Sequence, residues 1–125
     1  MNYNLLVVDD SQDVGRLLEL ILTRAGYHVV LAEDGREVMK LIQNQLPDLV
    51  LLDIMLPHMD GYEVCALIHQ EYPNIPVLML SSLDSQMAIS RSLEVGACEH
   101  IPKPFDRTML LAVVARHLED NNEHE

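Results

Sequence analysis

Two short runs of branched apolar residues in this chain end directly in aspartate. Residues 5–8 are followed by Asp9 and Asp10, and residues 49–52 are followed by Asp53. Continuous apolar runs of this length, rich in Val and Leu, are typical of strands buried on both faces of a parallel sheet. Ligands of open parallel sheets bind outside the carboxyl ends of the strands. If the two strands are neighbours, their carboxylates share one pocket and need a positive partner, because close like charges repel.

Strand and helix patterns alternate to the end of the chain. The strands are predicted at 4–9, 28–32, 49–53, 77–80 and about 99–101, and the helices within 11–26, 35–47, 62–72, 85–95 and 106–118. Five βα units in succession predict an α/β fold with a doubly wound parallel sheet and right-handed crossovers. We expect one domain over residues 1–120, followed by an acidic flexible tail at 121–125.

The charge of the chain restricts its partners. A formal net charge of −12 argues against direct binding of nucleic acid by this domain, because phosphate contacts need clusters of Lys and Arg. The same charge favours a site for cations. No apolar run approaches the roughly 18 residues of a membrane span, and no basic segment of a secretory signal precedes the first strand. We therefore expect a cytoplasmic protein without a membrane partner.

Polar residues follow four of the predicted strands. Asp9 and Asp10 follow the first strand, Asp53 ends the third, Ser81 follows the fourth and Lys103 the fifth. With strand order 2-1-3-4-5, all of them ring the switch point between strands one and three. The carboxylates suit Mg²⁺, Lys103 adds a fixed positive charge, Ser81 can hydrogen-bond an oxyanion, and Asp53 remains as a nucleophile. A single strand-end aspartate is usually a turn residue or a helix cap, but the joint arrangement predicts Mg²⁺-dependent phosphoryl transfer onto an aspartate.

The chain resembles the receiver domain of two-component response regulators over about residues 4–118. The matching segments are LLVVDD at 5–10, PDLVLLDIMLPHMDGYEV at 47–64, IPVLMLSS at 75–82 and GACEHIPKPF at 96–105. The resemblance implies a flavodoxin-like (βα)5 fold with strand order 2-1-3-4-5. It also implies a signalling module, not an enzyme with a separate substrate, that catalyses only its own phosphorylation and dephosphorylation. The phosphoryl donor would be a phosphohistidine on a sensor histidine kinase or a histidine phosphotransfer protein.

The resemblance also implies a role for each residue of the site. Asp53 is the phosphoacceptor, and it holds Mg²⁺ together with Asp9, Asp10 and the backbone carbonyl of Ile54. Lys103 is the partner of the phosphoryl group, and in such proteins this lysine is often followed by a cis-proline, here Pro104.

Two further residues are implied to report phosphorylation. Ser81 supplies the switch hydroxyl that moves toward the phosphoryl group. His100 stands where the family usually has Tyr or Phe, a side chain that swings inward when the hydroxyl moves. Histidine adds a group that titrates near neutral pH, so we expect His100 to act either as a small aromatic or as a proton-sensitive bias on the active state.

Met55 and Leu83 lie two residues after Asp53 and Ser81. These positions tune dephosphorylation in the resembled family. Apolar side chains there cannot orient an attacking water, and we therefore expect a phosphoryl lifetime of minutes or longer.

The last predicted helix is apolar without a break over residues 109–115. Its core stripe is expected at every fourth residue, namely Leu110, Val114 and Leu118. Met109 and Val113 are then expected to face outward, where related winged-helix transcription factors carry an acid and an arginine. Such a stripe suggests a hydrophobic partner surface or a homodimer through this helix. The alternative is that the exposed apolar side chains have no role.

Two other function classes stay open. A metal-dependent phosphatase with Asp53 as its nucleophile would commonly carry a second acid two residues later, where Met55 stands. A degenerate receiver that serves only as a scaffold would not need the complete set of acids with Ser81 and Lys103. We expect either a single-domain regulator or a domain excised from a larger one, whose output partner the sequence does not name.

Overall fold

The computed structural model describes residues 2–83 and 85–123, with the backbone alone at 120–123. Five parallel strands form one sheet in the order β2-β1-β3-β4-β5, which confirms the predicted flavodoxin-like fold and strand order. The strands are β1 (Asn4–Val8), β2 (His28–Ala32), β3 (Leu49–Asp53), β4 (Val77–Ser81) and β5 (Glu99–Pro102). The helices are α1 (Gln12–Arg24), α2 (Val38–Asn44), α3 (Gly61–Glu71), α4 (Gln86–Glu94) and α5 (Arg107–Glu123).

The sheet separates two apolar cores. Alternate residues of each central strand face opposite sides, so that Leu6 and Val8 of β1 pack with α2 and α3, while Leu5 and Val7 pack with α1 and α5. Burial on both faces explains why residues 5–8 of β1 and 49–52 of β3 are all apolar instead of alternating with polar residues. Within the described residues, no helix is long and apolar enough to span a membrane.

Side-chain caps fix where three helices begin, and these starts shape the edge of the sheet where the site lies. Ser11 accepts a hydrogen bond from the Val14 amide at the start of α1, and Ser85 accepts one from the Ala88 amide at the start of α4. Asp60 accepts from two amides at the start of α3. Each cap satisfies amides that have no partner inside the helix, so the helices start directly after the loops that carry polar residues.

The ends of some elements differ from the sequence prediction. The chain after Asp34 first forms a single 3-10 turn, Gly35–Glu37, and only then continues into α2. The last helix was predicted to end near residue 118, but α5 continues to Glu123. Residues 121–123 of the predicted tail are therefore helical, and residues 124–125 lie outside the described residues.

The predicted apolar stripe on the outside of the last helix is wrong at Val113. Val113 is buried and packs in the same core as Leu110, Val114 and Leu118, while Met109 alone of the two candidates stays exposed. Neighbours on one helix face lie at both the third and the fourth residue, and Val113 follows Leu110 by three. The core face of α5 is thus wider than a stripe at every fourth residue, and the proposed hydrophobic interface is reduced to one methionine.

Candidate functional site

Three carboxylates meet at the carboxyl edge of the sheet. β1 and β3 are hydrogen-bonded neighbours, so that the aspartates following or ending them come together. One oxygen from each of Asp9, Asp10 and Asp53 lies within 4.8 Å of the others. Asp9 and Asp53 are 4% and 7% exposed, whereas Asp10 is open to solvent. The predicted convergence of these acids is confirmed.

Lys103 bridges the two buried carboxylates. Its Nζ lies 2.9 Å from Oδ2 of Asp9 and 3.1 Å from Oδ2 of Asp53. Lys103 directly follows the last residue of β5, and the Lys103–Pro104 bond is cis. The amide of Lys103 donates to the carbonyl of Ser81 at 2.8 Å, which fixes the start of the loop after β5 against the end of β4.

The second oxygen of each buried carboxylate is held by the backbone. Oδ1 of Asp9 accepts the Ser11 amide hydrogen at 2.9 Å, and Oδ1 of Asp53 accepts the Met55 amide hydrogen at 3.1 Å. In both cases the donor lies two residues later, as in an Asx turn. Each carboxylate therefore has one oxygen fixed by the loop that follows its strand, while the other oxygen faces Lys103 and the shared pocket.

The ionisation of this cluster reflects burial and the central cation. Burial raises the pKa of Asp53 above its ordinary value, and the nearby charge of Asp9 raises it further, although Lys103 opposes both. Burial also disfavours the charged form of Lys103, but its hydrogen bond to Asp9 and the charge of Asp53 outweigh that effect and raise its pKa. A positive charge at Lys103 is thus maintained at neutral pH. The ionised form of Asp53, by contrast, is destabilised in this site.

Gly61 brings the start of α3 against the backbone at the end of β3. Its amide donates to the Ile54 carbonyl oxygen at 2.7 Å. A Cβ at this position would lie 2.3 Å from the carbonyl oxygen of Asp53 and 2.6 Å from the Cα of Ile54. Only glycine allows this approach. The Ile54 carbonyl, predicted as a metal ligand, therefore already accepts one hydrogen bond and has one lone pair left.

Ser81 and His100 are connected through the loop that follows β4. Ser81 is buried at the end of β4, and its Oγ accepts the Leu83 amide hydrogen at 3.0 Å. The Leu83 carbonyl oxygen lies 2.7 Å from Nε2 of His100, whose Nδ1 lies 2.9 Å from the Oγ of Ser92. The sequence indicated Ser81 and His100 but neither Ser92 nor the Leu83 peptide.

Residues 5–115 match the response regulator receiver domain family. The chain belongs to this family. Over 105 residues the receiver domain is 43% identical to the alkaline phosphatase synthesis transcriptional regulatory protein PhoP of Bacillus subtilis (strain 168), a match that covers 84% of this chain and 44% of the relative. The receiver domain thus spans less than half the length of that relative.

Solved structures of other receivers have the same fold. The CheY-like response regulator receiver domain protein from Methanospirillum hungatei JF-1 matches with a TM-score of 0.95 and 29% identity, and all of both chains is covered. The BeF3-activated N-terminal receiver domain of Klebsiella pneumoniae RstA matches with a TM-score of 0.89 and 37% identity, over 92% of this chain and 97% of that chain. The prediction of a receiver domain of two-component signalling is confirmed.

Proposed function

We propose that the chain accepts a phosphoryl group on Asp53 in a Mg²⁺-dependent reaction and passes the signal on through the surface formed by α4, β5 and α5. The observation that carries this proposal is the bridge of Lys103 between the buried carboxylates of Asp9 and Asp53, with Asp10 in reach of both. A purely structural ion pair needs one acid, whereas three acids around one lysine leave surplus negative charge, which a divalent cation would offset before a dianionic group enters.

The donor set fits a hard cation. Three carboxylates whose oxygens lie within 4.8 Å of one another match the all-oxygen preference of Mg²⁺. Asp9, Asp10 and Asp53 would hold the ion, and the free lone pair of the Ile54 carbonyl would complete the protein ligands. When bound, Mg²⁺ offsets the negative charge of the phosphoryl donor.

The transfer step uses a carboxylate oxygen that is already positioned. The Met55 amide holds Oδ1 of Asp53, so that Oδ2 is the oxygen able to attack phosphorus. A bond forms between Oδ2 and phosphorus as the phosphorus–nitrogen bond of the donor phosphohistidine breaks, and the leaving imidazole nitrogen takes a proton from solvent. Lys103 stays protonated and moves its hydrogen bond from Oδ2 to a phosphoryl oxygen.

Ser81 is suited to report the new group. Its Oγ accepts the Leu83 amide hydrogen, which leaves the hydroxyl hydrogen able to donate to a phosphoryl oxygen. A shift of Ser81 would pull on the β4–α4 loop and so change the surface of α4, β5 and α5. The domain would span residues 1–120 and act as a signalling module in the cytoplasm, without direct binding of nucleic acid.

The partners follow from this chemistry. A sensor histidine kinase or a histidine phosphotransfer protein would supply the phosphohistidine, and an output partner or effector domain would bind the switched surface. A homodimer through α5 has less support than the sequence predicted, because Val113 is buried and Met109 is the only one of the two residues left outside.

Incubation with Mg²⁺ and acetyl phosphate separates the proposal from its alternatives. We expect intact-mass analysis to find one phosphoryl group and peptide mapping to locate it on Asp53, with no incorporation in Asp53→Asn. Asp13→Asn makes the same chemical change at an exposed position of α1, and this control should react as the parent does. Continuous release of phosphate would instead indicate a phosphatase, and no reaction of the parent would indicate a scaffold.

The lifetime of the phosphoryl group is expected to depend on Met55. Its side chain is 60% exposed directly beyond the phosphoacceptor, and it has no group that can orient water. Met55→Glu is expected to shorten the lifetime by about tenfold or more, because a carboxylate there can act as a general base. Met87→Glu on α4 makes the same charge change at a residue that is 83% exposed. Decay of the isolated phosphoprotein is followed by mass spectrometry, and equal lifetimes of parent and Met55→Glu would contradict the prediction.

A further inference from the structure

The hydrogen bonds of His100 define where its protons lie. Nε2 lies 2.7 Å from the carbonyl oxygen of Leu83, which can only accept, and Nε2 must therefore carry a hydrogen. Nδ1 lies 2.9 Å from the hydroxyl oxygen of Ser92, which can both donate and accept. The imidazole is thus fixed from both ends, on one side by the β4–α4 loop and on the other by α4.

Ser92 can satisfy His100 in either charge state. Ser92 is fully buried, and its Oγ also lies 3.1 Å from the Ala88 carbonyl oxygen one helical turn earlier. When His100 is neutral, the hydroxyl donates to Nδ1. When His100 is protonated, Nδ1 donates to Oγ and the hydroxyl turns to donate to the Ala88 carbonyl. No atom except the hydroxyl hydrogen has to move between these two arrangements.

Protonation strengthens both bonds of His100. A hydrogen bond from a charged donor is roughly twice as strong as one between neutral groups. The protonated ring therefore holds the Leu83 carbonyl and α4 more firmly than the neutral ring does. The amide of Leu83 donates to the Oγ of Ser81, and the carbonyl oxygen of Leu83 accepts from His100. The backbone of Leu83 therefore connects the switch hydroxyl to His100 and, through Ser92, to α4.

The charged groups around His100 have other partners. Glu99, its neighbour on β5, pairs with Arg116 and His117 of α5. Arg91, next to Ser92 on α4, lies 4.2 Å over the ring of Tyr62.

Two more charged groups belong to the elements that adjoin His100, one beyond the end of its own strand and one on α4. Lys103, beyond the end of β5, pairs with Asp9 and Asp53, and Glu94 on α4 is exposed. Asp84, which follows Leu83 in the sequence, lies outside the described residues. Among the described residues, none of the carboxylates lies within 4 Å of the ring nitrogens, so its response to pH acts through Leu83 and Ser92.

We propose that Ser92 and His100 form a proton-sensitive latch that, when His100 is protonated, holds the backbone of Leu83 in the arrangement seen here and opposes the response of Ser81 to a phosphoryl group. The latch rests on the proposed phosphorylation of Asp53 for its consequence in signalling, but its hydrogen-bond chemistry exists in the unphosphorylated domain. Ser92 acts as a positioning residue, because it reaches the switch only through His100.

The first experiment uses the unphosphorylated domain without metal. The His100 ring is titrated by NMR from about pH 8 to about pH 5.5, and hydrogen-exchange protection of the Leu83 amide is measured at each end. We expect protection to rise by about fivefold on protonation, as charge-assisted bonds replace neutral ones. Ser92→Ala removes the partner of Nδ1 and is expected to lose this rise. The control is His117→Phe, which replaces a histidine that pairs with Glu99 of β5; it is expected to keep the rise. The latch is overturned if protection of the Leu83 amide does not change when His100 is protonated, or if it rises equally in Ser92→Ala.

The second experiment asks whether the latch opposes activation. Binding of beryllofluoride with Mg²⁺, a mimic of the phosphoryl group, is measured at about pH 8 and about pH 6 in the parent and in His100→Phe. We expect the parent to lose about fivefold more affinity than His100→Phe between the two values, because any titration of the acidic site is common to both proteins. Equal losses overturn the proposed effect on switching. Absence of binding in every variant speaks against the proposed function, and the exchange experiment then still decides whether the latch exists.

Discussion

Alanine at position 61 is expected to lower the free energy of unfolding by about 3 kcal/mol. The new Cβ would lie 2.3 Å from the Asp53 carbonyl oxygen and 2.6 Å from the Ile54 Cα. Both contacts are with backbone, so that no change of side-chain rotamer relieves them. Either α3 or the end of β3 has to move, and the hydrogen bond from the Gly61 amide to the Ile54 carbonyl is strained or lost.

Gly15→Ala is the matched control for this substitution. Gly15 lies inside α1 with ordinary helical backbone, and nothing stands within 4 Å of the place that its Cβ would take. Alanine there is expected to stabilise the domain by about 0.5–1 kcal/mol, because it favours the helix over the unfolded chain. Urea denaturation of both variants and the parent gives the comparison. Equal unfolding free energies for Gly61→Ala and the parent would show that α3 does not depend on this close approach.

The convergence of the site could be predicted because parallel topology determines where strand ends meet. Asp9, Asp53 and Lys103 each follow or end a different strand, and the apolar runs before the two aspartates indicated central strands. Once the order 2-1-3-4-5 is adopted, adjacency of β1 and β3 brings the acids together without any knowledge of side-chain packing.

Features that depend on packing were missed for a physical reason. Val113 is compatible with both an inward and an outward direction on an apolar helix, and only its contact with the opposing core decides between them. Ser92 is a polar residue on a helix, where exposure is the ordinary expectation. It is fully buried, and its hydroxyl lies against His100, which belongs to a different element. The close approach of Gly61 depends on how α3 enters the sheet edge, and the Asp60–Gly61 pair alone indicated only a turn.

Replacement of Lys103 by methionine is expected to lower the free energy of unfolding by about 2 kcal/mol in metal-free buffer at neutral pH. Methionine retains the apolar length of the side chain but leaves the buried carboxylates of Asp9 and Asp53 facing each other without a cation. The side chain of Lys103 is 19% exposed, so solvent reaches part of the site and the effect is smaller than for a fully buried pair. Lys40→Met, at an exposed position of α2, is the matched control and should change stability little.

The pH dependence distinguishes this charge effect from a loss of packing. Burial already raises the pKa of Asp53, and the loss of Lys103 removes an interaction that lowers it. A carboxyl whose folded-state pKa is raised contributes stability that is present below its unfolded pKa and lost as pH rises through the folded one. The deficit of Lys103→Met is therefore expected to shrink as pH falls into the carboxyl range. In the parent, the raised pKa of Lys103 means that its contribution is lost only at alkaline pH.

Mg²⁺ should restore more stability to Lys103→Met than to the parent. A ligand that binds only the folded state stabilises it in proportion to the logarithm of its concentration over its dissociation constant. In the parent, the ammonium group of Lys103 and the metal compete for the carboxylate oxygens of Asp9 and Asp53. This competition is absent in the variant, which should therefore bind Mg²⁺ more tightly. Thermal unfolding with and without Mg²⁺ is the measurement. If Mg²⁺ raised the Tm of Lys103→Met less than that of the parent, Lys103 would have to support the metal site instead of competing for its ligands.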